Sequence, residues 1–239
     1  SSMHVALVAG SLWWGASSPV SAQTLSQYTS EPPFLTEAVA PNILLLMDNS
    51  GSMDSSAYHN ANEAYNPAKA YYGYFDPTLC YSYGSSRYQI GTPRAATAPT
   101  CGATYPWDGN FLNYMTMSRM EVAKWVMMGG KCSPRAVNGT CYPGGKLNYE
   151  TTDRFTALTS NATGVTSYTG TRCFDRGGNN LIVYDGAACG GSSTSHSLAV
   201  DIASEPMGVI QQVGDKARFG LMEFKGAGDG GKVLADVGS

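Results

Sequence analysis

The chain has 239 residues, a formal net charge of −3, and only 14% charged side chains beside 28 glycines. That length suits one large domain or two small ones, rich in loops, and the near-neutral balance excludes the basic footprint of a nucleic-acid-binding protein.

The chain opens on an apolar and small-residue run, Val5 to Ala16, too short to span a bilayer, and Val20-Ser21-Ala22 before Gln23 has the form of a signal-peptidase site. Residues 1–22 are therefore expected to be a signal peptide, although the positive n-region is missing and the chain starts with Ser1-Ser2. The alternative is an apolar helix of the mature domain, which Gly10, Gly15 and Pro19 suit poorly. Residues 23–40 are polar, broken by Pro32-Pro33, and read as a flexible lead. No other segment is long and apolar enough for a membrane anchor.

At Ile43 to Met47 five apolar residues run into Asp48-Asn49-Ser50-Gly51-Ser52. The run predicts a strand covered on both faces, as in a parallel sheet between helices, and ligands on such sheets collect at the carboxyl ends of the strands. One carboxylate and two hydroxyls at alternate positions form part of an oxygen shell for a hard cation such as Mg²⁺, with Mn²⁺ and Ca²⁺ as alternatives. Gly51 relaxes the backbone between the two serines. A second reading has Asp48 as a buried cap of the Ser50 to Met53 turn.

Residues 54–106 show little periodicity and read as an insertion, in which nine tyrosines fall between Tyr58 and Tyr105. Those rings either pack the insertion onto the domain or offer a contact surface for a partner or glycan. A helix is predicted from Phe111 to Met128, with Asn110 as N-cap and Gly129-Gly130 as its stop. Its methionines, Met115, Met117, Met120, Met127 and Met128, are expected to fill core gaps.

A second irregular insertion spans 131–195, with a short strand candidate at Leu181 to Tyr184. Asn138-Gly139-Thr140 and Asn161-Ala162-Thr163 match glycosylation acceptors but read as turn sequence. Regular structure resumes with alternating Leu198, Val200 and Ile202, then a short helix from Pro206 to Val213. Arg218 to Phe224 predicts a core strand, 226–231 a turn and Lys232 to Val237 a last strand.

Cys80, Cys101, Cys132, Cys141, Cys173 and Cys189 form no CxxC pair, which argues for disulfides in an oxidising compartment over a zinc ribbon. Sequence does not choose among their connectivities; nearest-neighbour pairing, Cys80 with Cys101, Cys132 with Cys141 and Cys173 with Cys189, is the expectation.

The DxSxS pattern after an apolar strand resembles the metal-ion-dependent adhesion site of von Willebrand factor type A domains. Tyr65 to Pro77, Trp107 to Arg119 and Glu205 to Gln212 resemble the amino-terminal region of PilY1-type proteins, large adhesins associated with type IV pili. The resemblance implies an α/β fold, an incomplete Rossmann-like type A domain over 41–239 with a mostly parallel sheet, flanking helices and insertions at 54–106 and 131–195. It implies a divalent cation held by Asp48, Ser50 and Ser52, a surface or protein ligand offering an acidic group, and minor pilins as partners. It places the protein outside the cytoplasm, in the periplasm, at the cell surface or at the pilus tip. The family's remaining ligands, a Thr and an Asp on later loops, have no counterpart here, so the domain is expected to be incomplete.

Other chemistries are disfavoured. Gly226 to Lys232 has P-loop spacing, but Val233 replaces the Mg²⁺-binding hydroxyl and a strand follows where a helix is required. A metal-assisted hydrolase using Asp48 and Asp54, or His59 as base, lacks a second carboxylate cluster, and Ser50 and Ser52 lack a GxSxG elbow. His59 is expected to be an exposed loop residue and His196 a strand-start residue. The remaining alternative is a structural pilus-associated module without metal.

Overall fold

The computed structural model describes residues 40–59, 64–97, 100–134, 136, 140–149, 157–224 and 231–237. All belong to one compact unit, Ala40–Ser239. The expected signal peptide, most of the lead, Asn138-Gly139 and most of the 226–231 turn lie outside the described residues.

The elements are β1 (Asn42–Met47), β2 (Leu79–Gly84), β3 (Arg87–Pro93), β4 (Trp107–Asp108), α1 (Gly109–Thr116) and α2 (Arg119–Met128). Then come β5 (Cys132–Ser133), β6 (Lys146–Asn148), β7 (Leu158–Asn161), β8 (Thr171–Gly177), β9 (Asn180–Tyr184) and β10 (Ser193–Ser197). β11 (Ala199–Asp201), α3 (Val209–Val213), β12 (Arg218–Phe224) and β13 (Gly231–Ala235) follow as the last elements among the described residues. Among the described residues three sheets result, in the orders β1-β12-β13, β10-β9-β8-β7 and β4-β2-β3-β11-β6-β5. The fold is mixed α/β, but the expected mostly parallel sheet is not found. Only β1 with β12 and β3 with β11 run parallel among the described strands; every other pairing is antiparallel.

The core lies where irregular insertions were expected. Residues 54–106 hold β2 and β3, residues 131–195 hold β5 to β10, and the largest fully buried side chains include Tyr71, Phe75, Tyr81, Tyr88, Trp107 and Phe111. The rings meet edge to face: Phe75 with Tyr81 at 5.2 Å, Phe75 with Tyr88 at 5.1 Å and Tyr88 with Trp107 at 5.5 Å. Such pairs add about 0.5–1.5 kcal/mol each beyond their area burial. Most of the tyrosines between 58 and 105 are thus packing residues, while Tyr72 is 64% exposed.

The apolar β1, by contrast, is not covered on both faces. Leu44 is 53% and Leu46 55% exposed, and Phe224, Val233 and Leu234 on the partner strands are also exposed.

The expected helix over 111–128 is two helices. Asp108, not Asn110, caps α1, accepting the N–H groups of Asn110 and Phe111. Met117 closes α1 in an extended conformation and Ser118 caps α2 by accepting Glu121 N–H. The extended backbone at this break is paired: Ala57 N–H donates to Met117 O at 2.9 Å, Arg119 N–H to Ser55 O at 3.0 Å and Met120 N–H to Met53 O at 2.8 Å. The segment after the Asp48 turn thus supplies the hydrogen bonds that the interrupted helix forgoes. Met115 and Met117 are fully buried as expected, but Met128 is exposed. Gly129 ends α2 in the left-handed region, φ 72°. The third helix begins at Val209, not Pro206, and β11 covers only the middle of the expected 198–202 strand. β12 has the expected bounds.

All three disulfides join sequence neighbours, Cys80–Cys101, Cys132–Cys141 and Cys173–Cys189. Among the described residues no helix is long and apolar enough to cross a membrane.

Candidate functional site

β1 and β12 run in parallel register from Asn42 opposite Arg218 to Met47 opposite Glu223, so Asp48 leaves the sheet at the carboxyl end of both strands. Its Oδ1 accepts Ser50 N–H at 2.8 Å, and the Oγ atoms of Ser50 and Ser52 lie 2.9 Å apart. Met53 N–H closes the turn on Ser50 O at 2.9 Å. The Ser50 backbone N–H, followed by its hydroxyl, holds the Asp48 carboxyl below its ordinary range. Asp48 therefore caps its own turn, as the second reading had it, but from an exposed position.

Two residues not singled out from sequence brace this loop. Asn49 Nδ2 donates to Glu223 Oε2 at 3.1 Å, joining the turn to the end of β12. Arg119 donates to Ser52 O at 3.4 Å, joining it to α2. Glu223 could be recognised only once β12 was known to pair with β1, because 174 residues separate it from Asn49.

The donor set is consistent with a hard cation in part. Asp48, Ser50 and Ser52 offer oxygen only, from one short loop, which leaves further positions to water or a partner. Among the described residues no three His, Cys, Asp or Glu side chains gather into a metal-holding group.

The other candidates do not converge on the loop. His59 is buried, against expectation, with its ring centroid 5.8 Å from that of Tyr114, and burial pulls its imidazole down to about 4. His196 lies inside β10 instead of at its start. It is buried between Tyr83 and Trp107, with Nε2 2.8 Å from Tyr168 OH. Asn161 Oδ1 accepts Thr163 N–H at 3.1 Å, so that tripeptide is a turn.

Two of the three segments that carry the PilY1 resemblance, Tyr65 to Pro77 and Trp107 to Arg119, form one clamp. Asn110 Oδ1 accepts Tyr71 N–H at 2.8 Å while its Nδ2 donates to Lys69 O at 2.8 Å. Asn113 Nδ2 donates to Tyr71 O at 2.8 Å and Phe75 O at 2.7 Å, and its Oδ1 accepts Phe75 N–H at 3.1 Å. Asp108, fully buried, takes Arg94 Nε at 3.1 Å and Tyr65 OH at 3.0 Å. Behind them Glu121 accepts Tyr74 OH and faces Arg176 at 4.0 Å, both charges being fully buried. Arg176 also donates to Thr116 O at 3.1 Å and stacks over Tyr149. These residues hold α1 and α2 against the 65–77 segment.

The clamp and most of the aromatic core fall inside the stretch that comparison with known families recognises. A family model described as PilY1 homolog, small alpha/beta domain, matches residues 62–201. The type IV pilus biogenesis factor PilY1 homolog of Xylella fastidiosa (strain Temecula1) is 31% identical over 98 residues, covering 36% of this chain and 6% of that protein. The chain therefore corresponds to a small part of that relative. No solved structure matches. Because the family match takes in more than half of the chain, from the strand pairs of the former "insertions" through α1 and α2 to β11, the chain belongs to the PilY1 homolog family through its small alpha/beta domain.

Proposed function

We propose that the chain is an exported, type IV pilus-associated module that serves adhesion and pilus biogenesis, and that β1 with its Asp48 loop is the opening of a von Willebrand factor type A domain. The observation that carries this reading is the convergence of Asp48, Ser50 and Ser52 oxygens at the carboxyl end of a parallel strand pair. The exposed apolar side chains of β1, β12 and β13 support it, because a type A sheet is covered by helices. The name of the Xylella relative and the three disulfides support pilus association and export.

In this reading Asp48 supplies the charge and Ser50 and Ser52 supply neutral donors that would hold a divalent cation, with Mg²⁺ first and Mn²⁺ or Ca²⁺ as alternatives. A bound cation would offer an open position to an acidic group on a surface or protein ligand. Asn49–Glu223 and Arg119–Ser52 set the loop's shape. Recognition of minor pilins is part of the proposal, and no catalytic step is.

Isothermal titration of Mg²⁺, Mn²⁺ and Ca²⁺ into the oxidised chain, with Asp48→Ala as control, tests the metal site. Saturable binding lost in the variant is expected. No binding to a folded chain would favour the second reading, a structural pilus-associated module. That reading already has one observation behind it: the motif residues Asp108, Asn110 and Asn113 are spent on internal hydrogen bonds.

A further inference from the structure

β10 lies at an edge of its sheet, joined there to β9, and its sequence, Ser193-Thr194-Ser195-His196-Ser197, offers no apolar side chain. Ser193, Thr194 and Ser195 are exposed and Ser197 is half-buried, so His196 is the buried side chain of the strand. A single titratable ring thus anchors β10 to the core. The stretch is tied at both ends: Cys189 before it is bonded to Cys173, and Leu198 directly after it is fully buried. Gly190 and Gly191, the latter at φ 84°, follow the disulfide. Residues 190–197 therefore have the build of a strap, with fixed ends, a polar middle and one anchor.

The anchor suits a neutral imidazole. Its ring centroid lies 4.7 Å from that of Tyr83 on β2 and 4.9 Å from that of Trp107 on β4, so His196 joins the four-stranded sheet to the six-stranded one. Nε2 lies 2.8 Å from Tyr168 OH, while Nδ1 has no hydrogen-bond partner among the described residues. An imidazolium donates from both nitrogens, so protonation gives a charged ring whose buried Nδ1–H lacks an acceptor, whichever tautomer precedes it. The groups around it bring no free negative charge. Tyr83 OH accepts Ser197 N–H at 2.8 Å, Tyr88 on β3 stacks edge to face on Tyr83 and Trp107, and Tyr168 carries the Arg172 guanidinium 5.7 Å over its ring. On the same sheet face, in register through Leu181, stands Arg176, already facing Glu121 at 4.0 Å. Burial accordingly pulls the imidazole below its ordinary range.

We propose that residues 190–197 form an acid-released strap: protonation of His196 lifts β10 from Tyr83, Trp107 and β9, and uncovers the edge of β9 while the disulfide and Leu198 keep the strap tethered. The uncovered strand, Asn180–Tyr184, carries Leu181, Ile182 and Val183 and would present unpaired backbone groups along that edge. The sign follows from the burial of the ring. The released strap binds the proton more tightly than the closed one, so the strap is closed at neutral pH and opens more as pH falls below about 6.5. No residue of the Asp48 loop takes part, so the inference stands or falls apart from the metal reading.

The test is native-state hydrogen exchange of the oxidised chain at pH 7 and pH 5, corrected for the intrinsic chemical rate, with a proton NMR titration of the His196 ring. The β10 amides are expected to exchange faster than those of α1 at both pH values, and to open about fivefold or more often at pH 5 than at pH 7. His196→Phe fills the same space without taking a proton and should abolish that response, whereas His59→Phe should leave it intact. Four results would overturn the proposal: no rise in β10 opening at pH 5, β10 exchange no faster than that of α1, a response that survives His196→Phe or vanishes in His59→Phe, or a ring that titrates at or above about 6.5. Should His196→Phe not fold, the wild-type exchange rates, the ring titration and His59→Phe still decide.

Discussion

Asn113 satisfies three buried backbone groups with one side chain, two carbonyls through Nδ2 and Phe75 N–H through Oδ1. Asn113→Ala strands all three, and at about 1–3 kcal/mol for each buried group left unpaired the loss should be roughly 3 kcal/mol or more. Urea denaturation would measure it, and a loss under about 1 kcal/mol would show that water replaces the amide. Asn113→Asp should be worse, because it turns an acceptor towards two carbonyl oxygens. His59 makes a different prediction. Its folded pKa of about 4 lies below the ordinary 6.5, so between those values the unfolded chain binds a proton that the folded chain does not. Stability should therefore fall as pH drops from about 6.5 to 4, by about 2–3 kcal/mol at most, and be insensitive to this group above pH 7. Denaturation curves at pH 4.5 and 7 compared with those of His59→Phe would test this; an unchanged pH slope in the variant would assign the effect to other groups.

The break between α1 and α2 is set by the 53–57 segment beside it more than by helix propensity. Met117 and Ser118 contain neither Gly nor Pro, so periodicity reads straight through them, whereas the backbone of residues 53–57 bonds to Met117, Arg119 and Met120. Ser118→Ala removes the cap on Glu121 N–H and should cost about 1 kcal/mol. Gly129→Ala should cost more, since φ is +72° and a Cβ there would sit 2.6 Å from the Pro206 carbonyl carbon. Thermal melts of the two variants give the order directly, and a smaller shift for Gly129→Ala would contradict the cap geometry. Elements whose signal is local were legible in the sequence: β12, the Gly129 stop and the Asp48 turn. β2 and β3 were not, although Leu79, Tyr81 and Tyr83 and then Tyr88 and Ile90 alternate, because the Tyr, Ser, Gly and Pro residues around them read as loop; β8 was not, because Arg172, Cys173, Phe174, Asp175 and Arg176 show no alternation. Within the candidate site Asp48, Ser50 and Ser52 were legible because they share one loop. Glu223 and Arg119 reach it only through tertiary pairing.

Across the whole molecule the covalent and aromatic reinforcement is unevenly placed. The disulfides close separations of 21, 9 and 16 residues, all between Cys80 and Cys189. Loops of that size stabilise by about 2–4 kcal/mol each through the unfolded chain. None of them touches β1, β12 or β13, whose apolar side chains are largely exposed and contribute little burial. Opening free energy should follow that division. Native-state hydrogen exchange on the oxidised chain is expected to show slow amides in β2, β3 and α1 and much faster ones in β1 and β12, although both sets are hydrogen-bonded in sheets or helices. Reduction should speed exchange in the first set while leaving the second nearly unchanged, because those strands open without unfolding the core. Equal protection of the two sets before reduction would mean that the three-stranded sheet opens only with the aromatic core, and that the Asp48 loop inherits the core's rigidity instead of waiting on a ligand to order it.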